Sequence, residues 1–218
     1  YNKCSVKRKK CLRYATICSN AGFLGNPIAQ GVFGMMGLTL ASIYLIPQRI
    51  MMWSEGVSVF TEAPTKKEML KKIFTHPCII ACEIGIVLML TGWRPPPFFE
   101  ETITSVSNCN TAMSMLVIGM ILADADPKTI IDKDVLFYTF IRLLIIPFCV
   151  FIPCWLLHTD SLVMGVSVIL AAMPAGATTT ILASKYDCEE EFSVKLVVFS
   201  TAASLITTPL WNMILLKF

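Results

Sequence analysis

The chain alternates long apolar stretches with short polar ones. Seven apolar runs stand out, at approximately 15–33, 38–60, 77–93, 106–123, 135–157, 162–183 and 192–216. A hydrocarbon core of roughly 30 Å needs about 20 helical residues at 1.5 Å each, and each run reaches or approaches that length. Lipid offers no partners to backbone N–H and C=O groups, so helices, which satisfy those groups internally, are expected. Membrane β-strands alternate apolar and polar residues, and these runs do not. The predicted fold class is therefore all-α, a polytopic membrane helix bundle.

Two of the runs contain residues that do not suit a membrane helix. The first reads Cys18-Ser-Asn-Ala-Gly-Phe-Leu-Gly-Asn-Pro27, and the sixth reads Leu170-Ala-Ala-Met-Pro-Ala-Gly-Ala-Thr-Thr-Thr180. Proline removes a backbone N–H and clashes with the carbonyl four residues earlier, so each run is expected to break near mid-membrane, at Pro27 and at Pro174. Freed backbone groups at that depth are tolerated where they line a polar cavity. Paired interruptions in corresponding helices point to a transporter site, and half-helix N-termini suit an anion. An ordinary packed proline kink is the alternative for each. Spans one and two would correspond to spans six and seven, an offset of five that inverts the second unit. This gives 1–60 as the end of a first inverted repeat, 61–76 as a cytoplasmic linker and 77–218 as a complete five-helix repeat. The chain begins at Tyr1, and earlier helices of the first repeat are expected to precede it.

Charge sets the orientation. With the N-terminal end inside, the inner segments hold Lys3, Lys7, Arg8, Lys9, Lys10, Arg13, Lys66, Lys67, Lys71, Lys72, Lys128, Lys133 and Lys185, and the outer ones only Arg94 and Lys217. That asymmetry is the positive-inside pattern. Trp53, Trp93, Trp155 and Trp211 fall towards span ends, as an aromatic belt would. The run Arg94-Pro95-Pro96-Pro97 reads as an extended connector. Charged residues are 15% of the chain and mean hydropathy is +0.67, which excludes an ordinary soluble domain. A net charge of +3 gives no reason to expect nucleic acid. The nine cysteines show no CxxC or Cys/His zinc spacing and read as reduced; no motif calls for a metal or cofactor.

Charges inside the spans are the remaining chemistry. Arg49 lies eleven residues from either end of span two, so it needs an acid from another helix, backbone carbonyls or an anionic ligand. Glu83 lies six residues into span three and is a proton-carrier candidate, with an interfacial ion pair as the alternative. Glu55 is a shallower candidate of the same kind. Arg142 and Lys195 are expected to extend their heads to the inner interface. His76 and His158 read as interfacial, and Asn108 and Asn110 as caps opening span four. Ser19, Asn20 and Asn26 can hydrogen-bond a carboxylate or cap the broken helix ends.

Asn20-Ala-Gly-Phe-Leu-Gly-Asn-Pro27, Ala171-Ala-Met-Pro-Ala-Gly176, Ala183-Ser-Lys-Tyr186, Pro209 and Leu45-Ile-Pro-Gln-Arg-Ile-Met-Met-Trp-Ser54 resemble the auxin efflux carrier family, which includes plant auxin carriers and bacterial malate and malonate permeases. The resemblance runs over essentially the whole chain and implies ten helices in inverted five-helix repeats, of which this chain holds the last seven. It also implies an elevator-like motion and a substrate site where the broken helices cross, with Asn20, Gly25, Asn26, Pro27, Arg49, Pro174, Gly176, Thr178 and Thr179 as the residues expected there. Thr178, Thr179 and Thr180 stand where many bacterial members place an asparagine. The expected function is secondary transport of small organic anions such as malate-like carboxylates at the plasma membrane, with a proton or Na+ as coupling ion and a homodimer as the implied assembly. A channel and a non-transporting membrane receptor or scaffold are the competing readings. An enzyme is not expected, since neither His76 nor His158 lies in a catalytic pattern.

Overall fold

The computed structural model describes residues 5–52, 56, 58–60, 75, 77–123, 131–215 and 217. All the regular elements among them are helical. In chain order they are α1 (Val6–Ile17), a π-helical turn (Ala21–Gly25), α2 (Asn26–Met51), α3 (Pro77–Thr91), α4 (Pro97–Ala123), α5 (Lys133–Phe140), a second π-helical turn (Ile141–Ile145), α6 (Ile146–Leu156), α7 (Ser161–Ala171), α8 (Thr178–Lys185) and α9 (Glu190–Leu215). The linker expected at 61–76 lies, apart from residue 75, outside the described residues, as does Glu55.

By length and composition, the stretches 21–51, 133–156 and 190–215 can each cross a membrane. The first of these is not one rod. Gly34 has φ 67° and ψ −159°, a backbone state that a side chain would strain, and the chain reverses there. Residue 37 consequently lies against residue 29: a Cβ on Gly37 would fall 2.6 Å from the Ala29 carbonyl oxygen. α2 is thus a hairpin of two arms, 26–33 and 35–51, matching the expected boundary between spans one and two.

The first break is displaced from its expected place. Unwound backbone occupies Cys18 to Asn20, not the neighbourhood of Pro27. Proline is tolerated in the first turn of a helix, where its missing N–H has no intrahelical partner to lose, and Pro27 sits in the first turn of α2. Its effect is felt upstream as the π-turn 21–25, which closes with the Asn26 N–H on the Ala21 carbonyl. The second π-turn has the same grammar: the Ile146 N–H donates to the Ile141 carbonyl, and Pro147 follows. The second break falls where expected, at 172–177 around Pro174.

Two further expectations are corrected. α4 starts at Pro97, using the last proline of the connector as a first-turn residue and placing Glu100 at the positive helix end. Asn108 and Asn110 therefore lie inside α4, not at its start. Trp211 is no belt residue: it is 4% exposed, and its Nε1–H donates to the Leu143 carbonyl at 2.9 Å. That carbonyl would ordinarily accept from residue 147, which is proline.

The core has two parts that meet at the breaks. One gathers Cys11, Leu12, Tyr14, Tyr138, Leu182, Phe192 and Leu196 around α1, α5, α8 and α9. The other gathers Ala29, Ala41, Leu45, Ile169, Leu170, Met173 and Trp211 around α2, α7 and α9. Cys18 and Ala175 belong to the first part, and Ala21 and Ala172 to the second, so the unwound segments lie between them. α3 packs on α2, and α4 packs on the first π-turn; most of their described residues are exposed.

Candidate functional site

The two unwound segments cross and pair. Ser19 and Ala175 face each other as an isolated antiparallel bridge. The Asn20 N–H donates to the Pro174 carbonyl at 2.8 Å, and the Gly176 N–H to the Cys18 carbonyl at 3.1 Å. Each break thereby satisfies part of the other's backbone, which lipid could not do. A Cβ on Gly176 would stand 3.0 Å from the Cys18 oxygen, so the close approach of the chains depends on glycine there.

Side chains complete the accounting. Ser200 Oγ accepts from the Ala175 N–H at 3.1 Å. Gln48 Nε2 donates to the Ser19 carbonyl at 3.1 Å and to its hydroxyl at 2.9 Å. Arg142 donates from Nε to the Met173 carbonyl at 2.9 Å and from Nη1 to the Thr16 carbonyl at 3.3 Å. Arg142 is 5% exposed, against the expectation that it extends to the interface. It lies within the second π-turn, and it is directed at the crossing, not along the helix to water.

A small cavity opens beside the crossing. Asn20, Arg49, Gly176 and Thr178 line it together with Ser19 and Gln48, on a floor that includes Phe23, Leu45 and Met52. Among the described residues no acidic one lines it, and no carboxylate pairs with Arg49. The guanidinium passes over Gly22, where a Cβ would lie 3.1 Å from Nη2. Asn20 is 2% exposed, and its Nδ2 has no partner; the buried Gln48 Oε1 has none either. Thr178 opens α8, so the positive end of that half-helix meets the cavity, and its hydroxyl accepts from Tyr14 at 3.3 Å. The cavity is thus electropositive, with unused hydrogen-bonding capacity on buried side chains.

The remaining expected residues lie elsewhere. Asn26 and Pro27 line a second cavity of about 320 Å³ with Gln30, Ser107 and Asn108; Gly22 and Phe23 are common to both cavities. Gly25 is a packing residue: a Cβ there would lie 2.7 Å from Leu170 Cδ2. Pro174 contributes its carbonyl to the crossing, and Thr179 is fully buried with its hydroxyl unpartnered. Glu83 is exposed on α3 and lines neither cavity. Gln48 and Ser200 were not anticipated, since polar residues inside apolar runs carry no address for a partner in another helix.

Comparison with known proteins decides the family. The family model for membrane transport proteins matches residues 3–212. This chain belongs to that membrane transport protein family. It is 27% identical over 206 residues to an uncharacterized transporter of Methanothermobacter thermautotrophicus, covering 94% of this chain and 67% of that relative. It is 24% identical over 207 residues to the uncharacterized transporter MJ1031 of Methanocaldococcus jannaschii, covering 93% and 67%. It is 21% identical over 202 residues to the uncharacterized transporter YfdV of Escherichia coli K12, covering 87% and 63%. The chain thus spans about two thirds of the length of these transporters. As a member of the membrane transport family it is a multi-pass membrane protein, and not an enzyme.

Proposed function

We propose that this chain is the substrate-binding part of a secondary carrier for small organic anions, malate-like carboxylates among them. The observation that carries the reading is the cavity at the crossing, where an arginine with no carboxylate partner among the described residues stands beside a buried amide donor that has none among them either. A carboxylate would accept from Arg49 and from Asn20 Nδ2 in the field of the α8 N-terminus. Asn20, Arg49, Gly176 and Thr178 form this site; Asn26 and Pro27 belong to the approach from the second cavity. The inner end is that of α1, with the N-terminal segment in the cytoplasm. The cell membrane, a homodimeric assembly and coupling to a proton or Na+ follow from the family resemblance.

Counterflow in proteoliposomes tests the reading. The full-length protein would be offered labelled mono- and dicarboxylates, with and without proton and Na+ gradients. Saturable exchange that drops at least about tenfold in Arg49→Ala, for the loss of one charge-assisted contact, is the expected result. Absence of exchange with every carboxylate would reject it. Flux that neither saturates nor shows counterflow would indicate a channel.

A further inference from the structure

The crossing has two electrical sides. The second halves of the broken helices begin at the cavity, with their positive ends towards Arg49 and Asn20. The first halves, α1 and α7, end outside the cavity lining; the Ala172 N–H closes the last turn of α7 on the carbonyls of Val168, Ile169 and Leu170, while the Thr16 carbonyl of α1 and the Met173 carbonyl just past α7 turn to Arg142. On that negative side lies the guanidinium of Arg142, bonded to the carbonyls of Thr16 and Met173, one from each broken helix. Among the described residues no carboxylate pairs with it. A buried charge of this kind persists only when something compensates it, and here the compensation is peptide oxygen alone.

The support around this group is specific. Tyr138, four residues earlier in the same rod, donates to the Ala15 carbonyl at 2.8 Å. Tyr138 and Arg142 therefore hold consecutive carbonyls, Ala15 and Thr16, at the end of α1. The π-turn that carries Arg142 is stabilised in turn by Trp211 on the freed Leu143 carbonyl. In carriers built on discontinuous helices, unwound carbonyls and half-helix C-termini are the groups that hold a coupling cation.

We propose that Arg142 is a positioning residue that acts as a built-in cation. Its guanidinium fills the place between the two half-helix C-termini where an inorganic cation would otherwise bind, so this side of the crossing is held together without Na+. The proposal deepens the carrier reading and rests on it for its functional meaning.

The test measures thermal unfolding of the full-length protein in detergent, in NaCl and in choline chloride at equal ionic strength. The native protein is expected to unfold at the same temperature in both salts. Arg142→Ala is expected to unfold about 5 °C lower or more, since the buried Met173 carbonyl and the half-buried Thr16 carbonyl lose this donor. Millimolar methylguanidinium or Na+ should restore at least half of that loss, and choline none. Arg142→Lys and Arg142→Gln separate charge from hydrogen bonding if the alanine variant does not fold: lysine is expected to keep most of the stability and glutamine to lose it. Equal behaviour of lysine and glutamine, failure of every cation to restore the alanine variant, or a native protein stabilised by Na+ over choline would each overturn the proposal. Exchange of labelled malate and lactate in Na+-free proteoliposomes is the second arm. It should proceed in the native protein at the rate seen with Na+; a rate at least tenfold lower without Na+ overturns the proposal. Absence of exchange in both salts strikes the carrier reading alone, because the unfolding measurements need no substrate.

Discussion

The two breaks do the same task with different means. The first is short, Cys18 to Asn20, and contains no proline; its proline acts from seven residues downstream through a π-turn. The second runs over 172–177 with Pro174 within it, and every residue from 171 to 177 is buried. The second is fixed by a short side chain in a packed helix, Ser200 of α9. The first is fixed by Gln48, a long side chain on the 35–51 arm, which also carries Arg49 and forms one wall of the cavity. On the proposed carrier reading the difference sets an expectation: the second break is the rigid member of the pair, and the first is the member whose environment changes when the cavity fills or empties.

The sharpest way to break this comparison is to separate the chains where they touch. Gly176→Val places branched carbon against the Cys18 and Ser19 oxygens, which are backbone and cannot swing aside. We expect a loss of roughly 2–3 kcal/mol, seen as a fall of about 5–10 °C in Tm, with exchange abolished. Gly25→Ala meets side chains and no backbone, with Leu170 Cδ2 at 2.7 Å and Met173 Cγ at 3.1 Å, and should cost less. The next test asks which break is the rigid one. Ser200→Ala leaves the buried Ala175 N–H without an acceptor, at a cost of about 1–3 kcal/mol. Gln48→Met removes donors from the half-buried Ser19, where water can replace them, and should cost under about 1 kcal/mol while altering substrate affinity. A larger stability loss in Gln48→Met than in Ser200→Ala would reverse the assignment.

What the sequence made legible, and what it did not, follows the same division. Bilayer thickness forces long apolar runs, so the spans could be delimited, and the first run ended at Phe33 beside the Gly34 reversal. Pro174 broke its helix where it stood because its ring and missing N–H end α7 just upstream and the freed backbone pairs with the first break. Pro27 did not, because a proline in the first turn of a helix is at home there and displaces the disturbance upstream. Within the site, Arg49 was visible as a charge at midspan. Arg142 was visible too but was expected at the interface, since distance along a helix says nothing of a π-turn that redirects a side chain. The signal was present in Pro147: a proline five residues after an arginine frees the Leu143 carbonyl and upsets the helical register at that arginine. The pairing of Ser19 with Ala175 had no local signal, because the contact exists only once both helices are packed.

The smallest effect expected tests whether the ends of the two broken helices that carry Arg8 and Glu189 move together. Arg8 at the start of α1 donates from Nε to Glu189 at 2.8 Å, contacts Asp132 and Asp134, and lies 4.6 Å over the Phe192 ring. Glu189 stands in the turn between α8 and α9, so this contact ties the half before the first break to the half after the second. Burial works to raise the Glu189 carboxyl, but hydrogen bonds from Ser5 and Arg8, with the charges of Arg8 and Lys7, outweigh it and hold the group below the ordinary glutamate range. A carboxyl depressed in the folded state contributes stability above its unfolded value, about 4.3, and loses it as pH falls through the folded value. Glu189→Gln should therefore lower Tm by roughly 1–3 °C at pH 7, because the pair is partly exposed, and by progressively less as pH drops below about 4. If α1 and α8 are one unit, the same variant will also speed exchange at the Ala175 amide, read by hydrogen–deuterium exchange; an unchanged Ala175 rate would leave Ser200 as the anchor of the second break and the Arg8–Glu189 cluster as a local clasp.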